Sequence, residues 1–503
     1  MNRLADLRPA DVFRFFKEIS DIPRPSGHEK AVSDYLADFA RKRSLEYYQD
    51  ELNNIIIIKE ASEGMEDREP LILQGHMDMV CEKDAGCGKN MMTEGLDLDV
   101  DGDMIFAKGT TLGGDDGIAL AYVLAFLDDD TLRHPRLEAV FTVGEEVGMN
   151  GAHGIDLSPL KGRTMLNLDM EQEGQLLAGC AGGGRTQILL PVRRMSNSGP
   201  RIVLWLHGLT GGHSGAEINK GRGNAVILLT RILRECLAEI PFSLTAMAGG
   251  SKDNAIPREA AAILAAPEHL RESLREKAEE VCAILRKEYK LTDPDLALDI
   301  AGDVSELPGE IRELLLADLT EEDRMLRSLT PEDTRTALLL LTALPNGVVR
   351  MSSDIPSLVE TSLNLGITAV GERGLRLQYS VRSSVGSAYE ELAGRLQFIA
   401  SQLGAHVSRH AEYPAWEYQR ESRLREHMAA VYREMYDGEV RVEVIHAGVE
   451  CGLFGAKIKG LDAVATGPDI VDIHTPQERM SVSSVERVYR YLRKVIETWQ
   501  ETA

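Results

Sequence analysis

Five short stretches place metal-ligating and proton-transferring residues at regular points along the first and last parts of the chain. "LQGHMDMV" sets His76 and Asp78 two apart, on one face of an extended strand. "GTTLGGDDGIALA" carries Asp115 and Asp116 in a glycine-rich turn ahead of an apolar run. "TVGEEVG" puts Glu145 beside Glu146, and "LNLDME" ends in Asp169 and Glu171. "DIHTPQERM" supplies His474 just before Thr475 and Pro476. Singly, each pattern is ordinary: an Asp pair before a helix is a cap, and an exposed Glu pair does nothing. Together they bring many carboxylates to the ends of buried strands, where each unpaired charge costs several kcal/mol. Two divalent cations resolve that conflict. Imidazole and carboxylate donors suit zinc, and equally cobalt or manganese.

The elements that must position these residues can be read from periodicity. Residues 9–20, 27–42 and 117–130 have helical spacing, whereas "NNIIIIKE", "LILQGH", "LEAVFTV" and "TMLNLD" are short apolar strands. Strands alternating with helices predict an α/β domain whose sheet is mostly parallel and sandwiched by helices. In such sheets ligands collect beyond the carboxyl ends of the strands. The glycine cluster "AGCAGGGRTQ" (178–187) reads as a linker. Beyond it, strand and helix patterns with alternation by twos predict an inserted α+β domain. The texture returns to α/β from about residue 411. The expected organisation is therefore 1–184 as the first part of the catalytic domain, 185–410 as the lid, and 411–503 as the second part of the catalytic domain.

The 503-residue chain is too long for a single core. Lys and Arg number 56 against 80 Asp and Glu, a net charge of −24, which argues against nucleic acid or an anionic membrane as partner. The start has no apolar leader, and no run approaches the roughly 20 apolar residues that span a bilayer. Six cysteines without a CxxC pair are too sparse for a disulfide framework. A reduced, cytoplasmic protein is expected.

The set H-x-D, G-G-D-D-G, E-E-V-G, N-L-D and H-T-P resembles the dinuclear zinc exopeptidases of the carboxypeptidase and dipeptidase clan. Within it, "LQGHMDMVCEK", "KGTTLGGDDGIALA", "LNLDMEQEG", "GLTGGHSGAEI", "KDNAIPREA" and "IHAGVECGLF" are similar to the bacterial aminoacyl-histidine dipeptidases, the peptidase D family, from about residue 10 to 495. The resemblance implies that His76 and Asp169 hold one metal ion and Glu146 and His474 the other. It implies too that Asp115 bridges the two ions and that its own bond to Asp116 is cis. Two zinc ions are implied, about 3.5–4 Å apart, the usual spacing of a bridged pair. Asp78 orients His76, and Glu145 is the general base to a metal-bridged hydroxide. The resemblance further implies His213 as oxyanion donor, with Asn254, Arg382 and Glu450 offered to the substrate. Arg382 would grip its carboxylate, or else lie on a solvated strand face; Glu450 would select its free amine, or else cap the following helix. The substrates would be unblocked dipeptides, Xaa-His among them, and the assembly a homodimer. An N-acyl amino-acid deacylase of the same clan and a non-catalytic peptide-binding relative are the alternatives.

Overall fold

The computed structural model describes residues 3–197 and 199–500. It divides into two compact units, Met1–Cys180 with Trp416–Val444 and Val449–Ala503, and Ala181–Ala415 with Ile445–Gly448.

The first unit is built on an eight-stranded sheet. Its order is Glu46–Gln49, Ile55–Lys59, Leu137–Thr142, Leu71–His76, Thr164–Asn167, Asp462–Ala465, Gln175–Cys180 and Arg441–Ile445. The four strands at its centre, from Leu137–Thr142 to Asp462–Ala465, run parallel; the pairs at Ile55–Lys59 and at Gln175–Cys180 are antiparallel. Alternate side chains of the centre face opposite ways. Leu71, Leu73, Ala139 and Phe141 join the main core, while Ile72, Val140 and Met165 are equally buried on the other side. A sheet apolar on both faces must be covered on both, hence the unbroken β-branched and leucine runs. Helix Gly114–Asp128 is apolar nearly all round and is correspondingly sunk in the core beside helix Ala10–Ser20. Among the described residues no helix is long and apolar enough to cross a membrane.

Strand and helix come closest at Gly75. A Cβ there would lie 2.6 Å from Asp116 Oδ2 and 2.7 Å from the Ala119 Cβ. Overpacking of this kind costs about 1–3 kcal/mol. Gly75→Ala is therefore expected to lower the urea midpoint with an unchanged m-value; an unaltered midpoint would show that the contact yields freely.

The second unit is built on one large antiparallel sheet. The order is Ala297–Ala301, Arg201–His207, Ala260–Ala265, Ser243–Gly249, Val359–Gly371, Gly374–Ser383, Gly182–Leu190 and His406–Tyr413, with Gly347–Met351 also pairing on Val359–Gly371. Helices Ala225–Glu239, Arg271–Glu288, Pro331–Ala343 and Gly386–Gln402 share one face, and Gly309–Leu316 packs on the other. The glycine cluster spans the boundary between the two units at Cys180 and Ala181, but it is strand rather than loop on either side of Ala181. Its residues lie in strands Gln175–Cys180 and Gly182–Leu190, the latter hydrogen-bonded on both sides. Glycine is needed there for close approach: a Cβ at Gly182 would meet Ala415 N at 2.4 Å.

Candidate metal centre

Three neighbouring parallel strands end at one edge of the first sheet. His76 is the last residue of Leu71–His76, Asp169 follows Thr164–Asn167 by two residues, and Glu145 and Glu146 lie just past Leu137–Thr142. The turn opening helix Gly114–Asp128 brings Asp115 to them, and the loop after Ile470–Val471 brings His474, which has a φ of 61°. The Asp115–Asp116 bond is cis.

Asp115 stands between two imidazoles. Its Oδ1 is 3.0 Å from His76 Nε2 and its Oδ2 is 3.1 Å from His474 Nε2. Asp169 Oδ1 lies 3.7 Å from His76 Nε2, and Glu146 Oε1 lies 3.0 Å from His474 Nε2. His76 turns Nε2 toward this cluster because Nδ1 is engaged behind it, 3.2 Å from the Asp78 carbonyl and 3.3 Å from Asp78 Oδ1. Asp78 also accepts the Glu145 and Glu146 amides at 3.0 and 3.2 Å and the Ser26 hydroxyl at 2.8 Å. Burial alone would raise its pKa; the His76 contact, Ser26 and the Glu145 amide outweigh that and hold it at about 2. One ionised carboxylate thus orients both the first imidazole and the glutamate loop.

Among the described residues three donor groups could hold a metal ion: His76, Asp116 and Asp169; His76, Glu145 and Glu146; Asp115, Glu146 and His474. Of these, Asp116 Oδ2 already accepts the His76 N–H at 3.0 Å. The sequence presents Asp116 only as the residue joined to Asp115 in the glycine-rich turn. The structure gives it a fully buried post beneath His76, a contact visible only once helix and strand are packed.

The electrostatics ask for added positive charge. Burial first, then neighbouring carboxylates, push Glu145 up to about 8 and Glu171 up to about 7, and Asp169 is also raised. Hydrogen bonds to Asp115 and Glu146 push His474 up to about 10, so the imidazole itself is drawn toward the cationic form. The ion-pair partners of Asp115, Glu146 and Asp169 among the described residues are the two imidazoles. Hard oxygen donors with two imidazoles, short of cations, fit divalent ions.

Glu450 is wholly buried in the first unit. Its Oε2 accepts from Gln74 at 2.6 Å and from Thr142 at 2.7 Å, and it makes no side-chain cap to helix Cys451–Lys457. It is therefore no side-chain cap, and its other oxygen, Oε1, is buried without a hydrogen-bond partner among the described residues. Its charge instead helps raise the pKa of Glu145.

In the second unit His213 lies on a two-residue strand paired with Ala255–Ile256, and the Asn254 carbonyl accepts the Ser214 amide at 2.8 Å. His213 Nδ1 accepts from Gly215 and Ala216 amides at 3.2 and 3.0 Å, so Nε2 bears the hydrogen and is a donor. Burial and Arg382 both favour this neutral form. Arg382 is half-buried, not on a solvated face, and donates to Tyr413 Oη at 2.9 Å. A Cβ at Gly215 would be 3.1 Å from His213 Cε1 and 3.3 Å from Arg382 Nε, which brings the two donors together over a glycine. The Asn254 side chain itself is exposed.

A family model described as peptidase family M20/M25/M40 matches residues 72–498. The cytosol non-specific dipeptidase of Escherichia coli (strain K12) is 32% identical over 498 residues, 99% of each chain. Among solved structures, the aminoacylhistidine dipeptidase from Vibrio alginolyticus is 33% identical with a TM-score of 0.89, again over 99% of each chain. An aminopeptidase from Bacillus cereus, 13% identical, shares the fold with a TM-score of 0.54 over 98% of this chain and 100% of that one.

Proposed function

This chain belongs to peptidase family M20/M25/M40, and from that premise we propose that it is a cytoplasmic, metal-dependent dipeptidase acting on unblocked dipeptides, Xaa-His among them. The observation that carries the proposal is Asp115, with one oxygen toward His76 and the other toward His474. His76 and Asp169 would hold one divalent ion, Glu146 and His474 the other, and Asp115 both, with zinc first among the metals this donor set accepts. When bound, the ions would supply Lewis-acid polarisation of the scissile carbonyl and acidify the attacking water.

The chain's own residues do the rest. Glu145 takes the proton of the attacking water and returns it to the leaving amine. Its place suits that task, since it follows strand Leu137–Thr142 next to the proposed ligand Glu146 and its amide is held by Asp78. Asp78 keeps His76 in one orientation and pins the Glu145 amide. His213 offers Nε2–H to the oxygen on which charge develops. Arg382 is proposed to hold the substrate carboxylate and Asn254 to add a polar contact, which would make the Ala181–Ala415 unit the substrate-binding lid.

Metal analysis of the purified protein, joined to a panel of unblocked dipeptides and N-acetyl amino acids, tests the proposal. Two ions per chain and cleavage of the dipeptides are expected; cleavage of the acetylated set alone would make it a deacylase. Arg382→Ala should keep both ions and lose roughly ten- to more than hundredfold in kcat/KM, the worth of a charge-assisted carboxylate contact of about 1.5–3 kcal/mol. Dipeptide amides, which lack that carboxylate, should be cleaved equally by both proteins. Unchanged dipeptide kinetics would remove Arg382 from the site.

A further inference from the structure

Two buried charged side chains outside the ligand set tie together segments that are far apart in the sequence. Glu478 is 2% exposed. Its Oε2 accepts the amides of Leu112 and Gly113 at 2.8 and 2.9 Å, and its Oε1 accepts that of Gly114 at 2.8 Å, with the Asp115 amide at 3.4 Å. One carboxylate therefore closes the turn that presents Asp115. Glu478 also follows His474 by four residues, and its own amide donates to the Thr475 carbonyl at 3.1 Å. Arg24, 1% exposed, grips the same turn from the other side. It donates to the Met77 and Asp78 carbonyls at 2.9 and 3.0 Å and to the Gly113 carbonyl. An anion anchored near His474 and a cation anchored near His76 thus hold the two polar faces of one turn. A turn alone needs no buried ions, because a neutral cap would satisfy its amides without the cost of desolvating charge. The approach is tight: a Cβ at Gly114 would stand 3.3 Å from Glu478 Oε1 and 3.4 Å from Ile470 Cδ1.

We infer that Glu478 and Arg24 are positioning residues for the metal centre, setting Asp115 against His76 on one side and His474 on the other. The inference rests on the two-metal reading above. Residues of this kind typically change metal affinity by roughly 10–100-fold when altered. The effect should fall mainly on the ion held by Glu146 and His474, since Glu478 anchors that loop as well as the turn.

The test is a cobalt(II) titration of the metal-stripped full chain, followed by visible absorption and calorimetry. In Glu478→Gln, one amide-accepting oxygen becomes an NH2 group facing an N–H. The second equivalent should bind roughly 10–100-fold more weakly than in the unaltered chain, with the first little changed. Turnover at limiting cobalt should fall and recover in part with excess, at constant KM. Glu138→Gln is the matched control. Glu138 is also fully buried and accepts amides of Lys161 and Gly162, but it lies at the far end of its strand from the site. It should lower thermal stability and leave both equivalents alone. If Glu478→Gln does not fold, Gly114→Ala, which presses on the same carboxylate, should weaken the second equivalent in the same direction. Unaltered affinities in the folded variant, or an equal loss in Glu138→Gln, would overturn the inference. An unaltered chain that binds fewer than two ions would instead overturn the two-metal reading.

Discussion

Glu145→Gln is expected to fold, retain two metal ions and bind dipeptide, yet lose roughly 10²–10⁴-fold or more in turnover, the range of general-base catalysis. The substitution is nearly isosteric and removes the capacity to take a proton while leaving a hydrogen-bonding group in place. Glu146→Gln should behave differently although it is the next residue. Glu146 Oε1 faces His474 Nε2 at 3.0 Å, inside the group formed with Asp115. An amide is a poor ligand, so one ion should loosen and added metal should restore part of the activity. Metal counts with turnover on both variants separate the roles. A Glu145→Gln protein that loses an ion, beside a Glu146→Gln protein that keeps both, would reverse the assignment. Full activity in both would remove the metallopeptidase mechanism altogether.

Much of the site could be read because a parallel sheet converts sequence order into geometry. His76 ends an apolar strand, Glu145, Glu146 and Asp169 follow theirs, and parallel strands end at one edge. Side chains at those ends must meet whatever the rest of the chain does. The glycine cluster at 178–187 was opaque for the opposite reason. Glycine marks both flexible linkers and backbones pressed together, and only the partner strands reveal which applies. Arg24, Asp116 and Glu478 were opaque too. Each is a charged residue whose function lies in being buried, and burial of a polar side chain leaves no periodicity to detect. Glu450 shows the same limit: its partners Gln74 and Thr142 are more than 300 residues away. Arg382 was ambiguous in a strand that alternates by twos, because position within the strand does not say whether solvent or Tyr413 lies beyond the guanidinium.

Asp115→Asn should be more damaging than any substitution of a single-ion ligand. Its two oxygens face different imidazoles, at 3.0 and 3.1 Å, so each has a separate partner. Asparagine replaces one oxygen with an NH2 group that cannot donate a lone pair to a cation, and it removes the negative charge shared by both positions. One ion should be lost on desalting and the other held more weakly. Metal ions contribute several kcal/mol to transition-state stabilisation, so turnover should drop roughly 10²–10⁴-fold at about 1.4 kcal/mol per decade, with little rescue by added zinc. Asp116→Asn provides the contrast. Asp116 serves the His76 amide through one oxygen, and asparagine keeps an oxygen that can accept the same bond. That variant should retain both ions and most of its activity. Two ions in Asp115→Asn would show that Asp115 does not bridge, whatever the turnover. Loss of both ions in Asp116→Asn would mean that Asp116 is itself a ligand, consistent with its place beside His76 and Asp169, and would transfer the bridging question to the neighbouring residue.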